Sequence, residues 1–489
     1  MAGSFGSRGA AIMIGGQWIR YAVSFVALVV LSRLLPPQAY GVFAVAAGSV
    51  ALAGVLGDLG MSLSALRAES LSHQQRSNLL WVSAGAGIVL CVFVNLIAGS
   101  VASLYAFDGL ERVLRVLSIP FVLNGFSAQF RVGLNRVGRY GAVAVADTVS
   151  SLAGLIVGVV AALLGLGAMA LALQSGVTSL IALVGLVAAD PWVPTRPRRD
   201  EATRHLLSFG GTMWLTQAVS ALANSVDSLT LGWYRPSGEV GAYSRGLSVA
   251  RLPLNQLMAP LGNLAIPRAA AEPLDPGTRL ESLVDVFRPA ALVSALGLSG
   301  LVAAGSWAPR LILGDQWSGL ATVLAILGVA MIMQTAQQLP FWVVFSMGAS
   351  RVIFVAEVVP RLVFVASAIV CARWGMIPVC VCMVVQQGLM LGLYCGWAMP
   401  RLGISAAKVF RDALSPVAMP LGLAVAVTLV RLGLAAVTTV SDVGLNLICV
   451  SGWVFAVAVN LMVSSNQRRA FAVLWAHART AVGGSSKAT

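Results

Sequence analysis

The sequence predicts an all-α integral membrane protein of about 14 transmembrane helices, in two parallel-related six-helix lobes plus two C-terminal helices. Three observations lead there. Composition is the first: 58% of the 489 residues are hydrophobic and 10% are charged, with a mean hydropathy of +0.87. A soluble domain carries roughly 25% charged residues. The second is a succession of apolar stretches, each of roughly 20 residues, the length that the hydrocarbon core of a bilayer demands. The third is an internal repeat. LSRLLPPQAYGVF (31–43) aligns with LGWYRPSGEVGAY (231–243), so that Pro36 matches Pro236, Gly41 matches Gly241 and Phe43 matches Tyr243. Upstream, Gly15-Gly16-Gln17-Trp18 resembles Gly210-Gly211-Thr212-Met213-Trp214. An even number of spans separates the copies, so both start from the same side of the membrane, a plan used by secondary transporters.

The expected spans, in order, are 11–34, 39–59, 78–100, 114–134, 142–164, 168–189, 206–231, 243–267, 284–305, 320–342, 353–372, 375–398, 416–437 and 444–463. MAGSFGSRG lacks the charged-apolar-cleavage pattern of a signal peptide, so the first span is expected to remain as a membrane helix. With the N-terminus inside, the cytoplasmic loops are 60–77, 135–141, 190–205, 268–283, 343–352 and 399–415, with the tail from 464. Of the 32 Lys and Arg, about 21 then fall inside, about 8 outside and 3 in the membrane. That bias obeys the positive-inside rule and predicts that both termini are cytoplasmic. The loop PWVPTRPRRDEATRH, with Arg196, Arg198, Arg199 and Arg204, is the strongest contributor and divides the chain. The predicted organisation is an N-terminal lobe (1–189), a basic cytoplasmic linker (190–205), a C-terminal lobe (206–398), helices thirteen and fourteen (399–463) and a cytoplasmic tail (464–489).

Composition also excludes several functions. The net charge of +14 is accounted for by arginine-rich cytoplasmic loops, so no nucleic-acid partner is expected. All basic residues but Lys408 and Lys487 are arginine, and neither lysine sits in a P-loop, which argues against ATP hydrolysis. The six cysteines (91, 371, 380, 382, 395, 449) fall in apolar segments and read as small buried hydrophobes. The three histidines (73, 205, 477) are scattered, so neither a metal site nor a cofactor is expected. There is no nucleophile elbow, no H-E-x-x-H and no large external loop to hold an acid and a base. The chain is expected not to be an enzyme, which leaves transport.

Candidate transport residues concentrate between 205 and 270. Gln217, Ser220, Asn224 and Asp227 recur at three- and four-residue spacing, one face of a helix. The following stretch carries Arg245, Ser248, Arg251, Asn255 and Asn263 among Pro253, Pro260 and Pro267. Interior prolines free backbone groups, which the membrane tolerates only beside protein or a wet cavity. Polar side chains also bridge helices without touching substrate, and that reading stays open for Gln217, Ser220 and Asn224. Asp227, Arg245 and Arg251 are read as cavity residues because intramembrane charge rarely faces lipid.

In the first span Gln17, Arg20 and Ser24 share a face. Asp58 reads as structural, and Asp147, near the start of the fifth span, is open to either role. Gln334, Gln337 and Gln338 precede Pro340 as a polar patch that either lines the cavity or bridges helices. Glu357 and Arg361 are spaced to pair along one helix, as a structural ion pair or a proton- or cation-responsive element.

Three stretches resemble the polysaccharide transporter branch of the multidrug/oligosaccharidyl-lipid/polysaccharide exporter superfamily, the lipid-linked oligosaccharide flippases. They are RLLPPQAYGVFAVAAGSVALAGVLGDLGMSLSALRA (33–68), FSAQFRVGLNRVGRYGAVAVADTVSSLAGLIVGVVAALLGLGAMALAL (126–173), and the segment holding Asp227, Gly232, Gly241, Tyr243, Pro253, Pro260 and Pro267. The resemblance covers most of the first 270 residues; the C-terminal third matches only in helix number. It implies a fourteen-helix, two-lobed, alternating-access carrier in the bacterial inner membrane. The implied substrate is undecaprenyl-diphosphate-linked oligosaccharide, moved from the cytoplasmic to the periplasmic leaflet. It further implies a cationic cavity, for which Arg20 and Arg251 are the best-placed phosphate ligands and Arg245 a weaker one. Gln17, Gln217, Asn224, Asp227 and Asn255 complete the candidate cavity, and Asp227 and Glu357 are the candidate ion-coupling acids. Beyond substrate and membrane lipids, polysaccharide polymerase and export machinery are the open partner classes. A drug or metabolite exporter of the same superfamily is the alternative reading, and a polysaccharide polymerase, ligase or assembly scaffold a second.

Overall fold

The computed structural model describes residues 7–58, 72–198, 211–271, 275–437 and 442–463; side chains are excluded for 7–18, 55–58, 211–218, 318, 432–437, 442 and 459–463. Every secondary-structure element among them is helical. The chain is an all-α integral membrane protein. Nine of the described helices are long and apolar enough to span a membrane, or ten if Ala406–Leu414 and Ala418–Arg431, bent by 63°, form one span.

Two compact units divide the chain, residues 1–244 and 245–489. In the first, α1 (Ser7–Leu34) packs on α5 (Tyr140–Leu163), and α2 (Pro37–Asp58) on α7 (Gly211–Tyr234). α3 (His73–Tyr105) packs on α4 (Leu110–Arg136), while α6 (Ala168–Ala189) lies on both α4 and α5. Pro37 opens α2, where its missing N–H costs nothing. α3 starts at a capping box: the Ser72 hydroxyl accepts from the Gln75 N–H, and the Gln75 side chain accepts from the Ser72 N–H. After α6 the segment 191–198 runs along the start of α3 as a strap. Gln74, Asn78 and Trp81 donate to the carbonyls of Arg196, Arg198 and Thr195, and the Arg198 N–H donates back to Asn78.

α8 (Ser237–Ala250) carries the unit boundary. The sequence predicted one kinked span over 243–267. The structure keeps the backbone helical through that stretch, with a turn at Arg251 and a π-turn at Leu254–Met258 leading into α9 (Ala259–Ala271). Pro253 and Pro260 bracket that turn, and each lacks the N–H that a continuous helix needs. In the second unit α10 (Pro276–Ala304) is followed by the short α11 (Trp307–Leu313) and by α12 (Ala321–Ser346). α12 is the most buried membrane-length helix and packs on α10, on α14 (Met376–Leu393) and on α16 (Ala418–Val437). α13 (Ser350–Cys371) packs on α14. α15 (Ala406–Leu414) lies where a loop was predicted. It is held to α10 by Arg288–Asp412 and Lys408–Glu281, both 2.8 Å. α17 (Asp442–Val463) ends the description.

The repeat seen in the sequence is a physical contact. A Cβ on Gly41 would collide with the Ser237 carbonyl, and one on Gly241 with the Pro37 carbonyl. With position 41 equivalent to 241 and 37 to 237, the two collisions are the same contact made in both directions. Backbone can approach backbone this closely only where neither residue carries a side chain.

The repeat also continues where the sequence reading stopped. Gly138 and Gly348 both take a left-handed φ, +73° and +68°, just before α5 and α13. The N–H of the following residue donates back to a carbonyl in each case, Arg139 to Leu134 and Ala349 to Val344.

Candidate functional site

Continuing that second register by 210 residues pairs Ala146-Asp147 with Ala356-Glu357. Each acid stands seven residues beyond the first residue of its helix (147 against 140, 357 against 350), roughly 10 Å along the axis. Each unit therefore holds a carboxylate inside a membrane-length helix at an equivalent place.

In the first unit Asp147 faces two arginines from other helices. Arg131, on α4, grips it as a fork, with Nη1 donating to Oδ2 at 2.9 Å and Nη2 to Oδ1 at 2.7 Å. Arg20, on α1, adds Nη1 to Oδ2 at 3.3 Å. The side chains are 38% (Arg131), 36% (Arg20) and 15% (Asp147) exposed. Arg20 lies fourteen residues before the end of α1 (34 against 20), roughly 21 Å along its axis. A guanidinium that deep does not easily reach water past the helix end, so its charge is balanced locally.

In the second unit Glu357 is buried and closed around. Arg361, one turn along α13, donates to Oε2, as the spacing predicted. The Tyr394 hydroxyl, at the end of α14, donates to Oε1 at 2.7 Å.

Asp227 on α7 is fully buried. The Tyr243 hydroxyl donates to its Oδ2 at 2.8 Å, and the Ser228 N–H to its Oδ1 at 2.7 Å. The repeat register sets this pair against Ala27 and Phe43, so the second copy exchanges an apolar contact for a polar one. Asn224, one turn before, is exposed.

Of the other predicted residues, Arg245 and Arg251 are half-buried and Asn255 is exposed, all in the second unit. Arg251 stands at the turn after α8, where its carbonyl accepts from the Asn255 N–H at 3.0 Å. The side chains of Gln17, Gln217 and Asp58 lie outside the described residues. Arg131 and Tyr394 were missed as site residues. The available signal for Arg131 was a charge near the C-terminal end of an apolar span, and for Tyr394 a hydroxyl in an otherwise apolar helix. Among the described residues no group of three His, Cys, Asp or Glu could hold a metal ion.

Comparison with known proteins fits this architecture. The chain is 24% identical over 323 residues to the lipopolysaccharide biosynthesis protein WzxC of Escherichia coli, covering 64% of this chain and 66% of that one. It is 22% identical over 312 residues to the succinoglycan biosynthesis transport protein ExoT of Rhizobium meliloti, covering 63% of each. The matches thus span just under two thirds of the length of these relatives. In fold, the chain resembles the lipid II flippase MurJ in an inward closed conformation, with a TM-score of 0.70, 12% identity, and coverage of 92% of this chain and 99% of that one. It also resembles an inward-facing multidrug resistance MATE family transporter of the MOP superfamily, with a TM-score of 0.55, 14% identity, and coverage of 82% and 98%. The profile of the polysaccharide biosynthesis protein family matches residues 30–322, more than half of the sequence, and the chain belongs to that family.

Proposed function

We propose that the chain is a flippase that carries undecaprenyl-diphosphate-linked oligosaccharide repeat units from the cytoplasmic to the periplasmic leaflet by alternating access. Its products would feed exopolysaccharide, capsule or O-antigen synthesis. One observation carries the reading: two guanidiniums inside membrane helices, Arg20 and Arg131, share one carboxylate. Guanidiniums inside a membrane are costly unless anions complement them, and guanidinium binds phosphate with two parallel hydrogen bonds. Family membership and relatives named for lipopolysaccharide biosynthesis and succinoglycan transport support the substrate class.

In this reading the chain has fourteen membrane helices, with lobes 1–189 and 206–398, a basic linker 190–205, two further helices in 399–463 and a tail 464–489. Both termini face the cytoplasm, and the membrane is the bacterial inner membrane. Arg20 and Arg251 engage the diphosphate, while Gln17, Gln217, Asn224, Arg245 and Asn255 line the path of the sugars. Asp227 and Glu357 are the candidate ion-coupling acids, and polymerase and export machinery the candidate protein partners. The likeness in fold to a multidrug transporter keeps drug or metabolite export as the second reading.

The test is deletion of the gene, followed by assay of lipid-linked oligosaccharide in each leaflet. The deletion strain is complemented with wild type, Arg20→Ala, Arg251→Ala or Asp227→Ala. Precursor is expected to stall on the cytoplasmic side, with rescue by wild type and not by the arginine variants. Normal leaflet distribution and normal surface polysaccharide in the deletion strain would sink the flippase reading and move drug export forward.

A further inference from the structure

Asp147 holds its two arginines unequally. Arg131 satisfies both carboxylate oxygens in a planar fork at 2.7 and 2.9 Å. Arg20 shares Oδ2 with that fork through one longer contact of 3.3 Å. A forked guanidinium–carboxylate pair is the stronger of the two arrangements. Taking Arg20 away would leave Asp147 paired. Taking Arg131 away would leave Arg20 as the sole arginine holding it, and an unpaired carboxylate at that depth is expensive.

We propose that Asp147 and Arg131 form a holding position for Arg20. Arg20 leaves Asp147 for the phosphate of an arriving prenyl-diphosphate-linked substrate and returns to Asp147 when that substrate departs, while Arg131 keeps the carboxylate neutral throughout. The inference rests on the flippase reading and deepens it. Asp147 competes with the substrate for one guanidinium, so its contribution is to release rather than to capture. Arg131 is a positioning residue that acts through Asp147. All three residues lie in the first unit, on α1, α4 and α5.

The arrangement makes two substitutions at one ion cluster push affinity in opposite directions, which a purely structural role would not do. The experiment measures binding of farnesyl diphosphate, and separately of inorganic diphosphate, to the full chain purified in nanodiscs. Wild type is compared with Arg20→Gln, Asp147→Asn, Asp147→Glu and Arg131→Gln. Asp147→Asn is expected to bind about tenfold more tightly, the scale of one charge-assisted hydrogen bond no longer lost on binding. Arg131→Gln is expected to bind more weakly, Arg20→Gln weakest of all, and Asp147→Glu close to wild type. Response to inorganic diphosphate alone assigns the effect to the phosphates, and response only to the prenyl compound assigns part of it to the lipid tail; the order of the variants is expected in both. Weakening by Asp147→Asn to the level of Arg20→Gln would overturn the proposal, because Asp147 would then be orienting Arg20 for the anion. An unchanged Arg20→Gln also overturns it, while binding by wild type leaves the flippase reading intact. A wild type that binds neither probe overturns it too, and the leaflet assay then decides the flippase reading separately.

Discussion

Asp147 and Glu357 occupy the same step of equivalent helices, yet they are neutralised in different ways. Asp147 draws its arginines from two other helices, and all three side chains retain some exposure. Glu357 is buried and takes its arginine from its own helix, with a tyrosine hydroxyl completing the set. A carboxylate shared by arginines from two other helices is open to competition from a ligand. A charge closed within one helix turn and its neighbour behaves as a clamp, fixing α13 to α14. The duplicated fold thus keeps an acid in both places and varies its partners.

The largest effect that separates the two acids is on stability. Glu357→Ala leaves the Arg361 guanidinium and the Tyr394 hydroxyl without their carboxylate in a buried place, an expected loss of about 3–5 kcal/mol. Asp147→Ala is expected to cost about 1–2 kcal/mol, since its arginines are more than a third exposed and partly screened. Denaturant unfolding of the purified protein in detergent measures both, and equal losses would break the distinction between clamp and open cluster.

A smaller effect tests whether the two copies of the repeated segment, both in the first unit, are equivalent where they touch. Gly41→Ala and Gly241→Ala should each destabilise by about 1–3 kcal/mol, because the added methyl meets a backbone carbonyl that cannot rotate away. The two sites share one contact, so the double variant should lose less than the sum. Full additivity would mean that the two collisions are relieved independently.

The smallest effect distinguishes the two N-caps. α3 begins at Ser72 and α10 at Asp275, and four residues on, Arg76 and Arg279 donate to the Gln129 and Ser346 carbonyls. Only the second cap titrates. The Thr278 hydroxyl, and then the N–H groups of Thr278 and Gly277, hold the Asp275 carboxyl below its ordinary range. A lowered folded-state value means that the cap contributes fully above the unfolded-state value of about 3.9 and is lost as pH falls through the folded-state value. Amide protection factors in the first turn of α10, corrected for intrinsic exchange, should therefore fall on acidification towards pH ~3, while those in the first turn of α3 do not follow. Asp275→Ser should abolish that pH dependence; if it persists, the cap is not its source.

The sequence revealed the features that local spacing encodes. Apolar run lengths gave the helices, and the four-residue step from Glu357 gave Arg361. Prolines at 253 and 260 signalled an irregular helix, and the π-turn at Leu254–Met258 lies between them. What stayed hidden depends on chain separation. Arg20 meets Asp147 across 127 residues, and nothing in a one-dimensional pattern joins them. Tyr394 is 37 residues from Glu357 and sits in an apolar run. The second half of the repeat is masked in the sequence because the offset moves from 200 at Gly41 and Gly241 to 210 at Gly138 and Gly348. The short helix α11 and the turn after it, between α10 and α12, have no counterpart between α3 and α4.

The glycine contact between α2 and α8 also sets a timetable for biosynthesis. Ser237 is made 196 residues after Gly41 (237 minus 41). At about 5–20 residues per second that interval lasts roughly 10–40 s. Through it the Gly41 face of α2 lacks the Ser237 backbone that it meets in the folded chain. The intervening helices α3 to α7 are threaded meanwhile. A ribosome that stalls before position 237 leaves a first half that is inserted and still missing the surface it was built to meet.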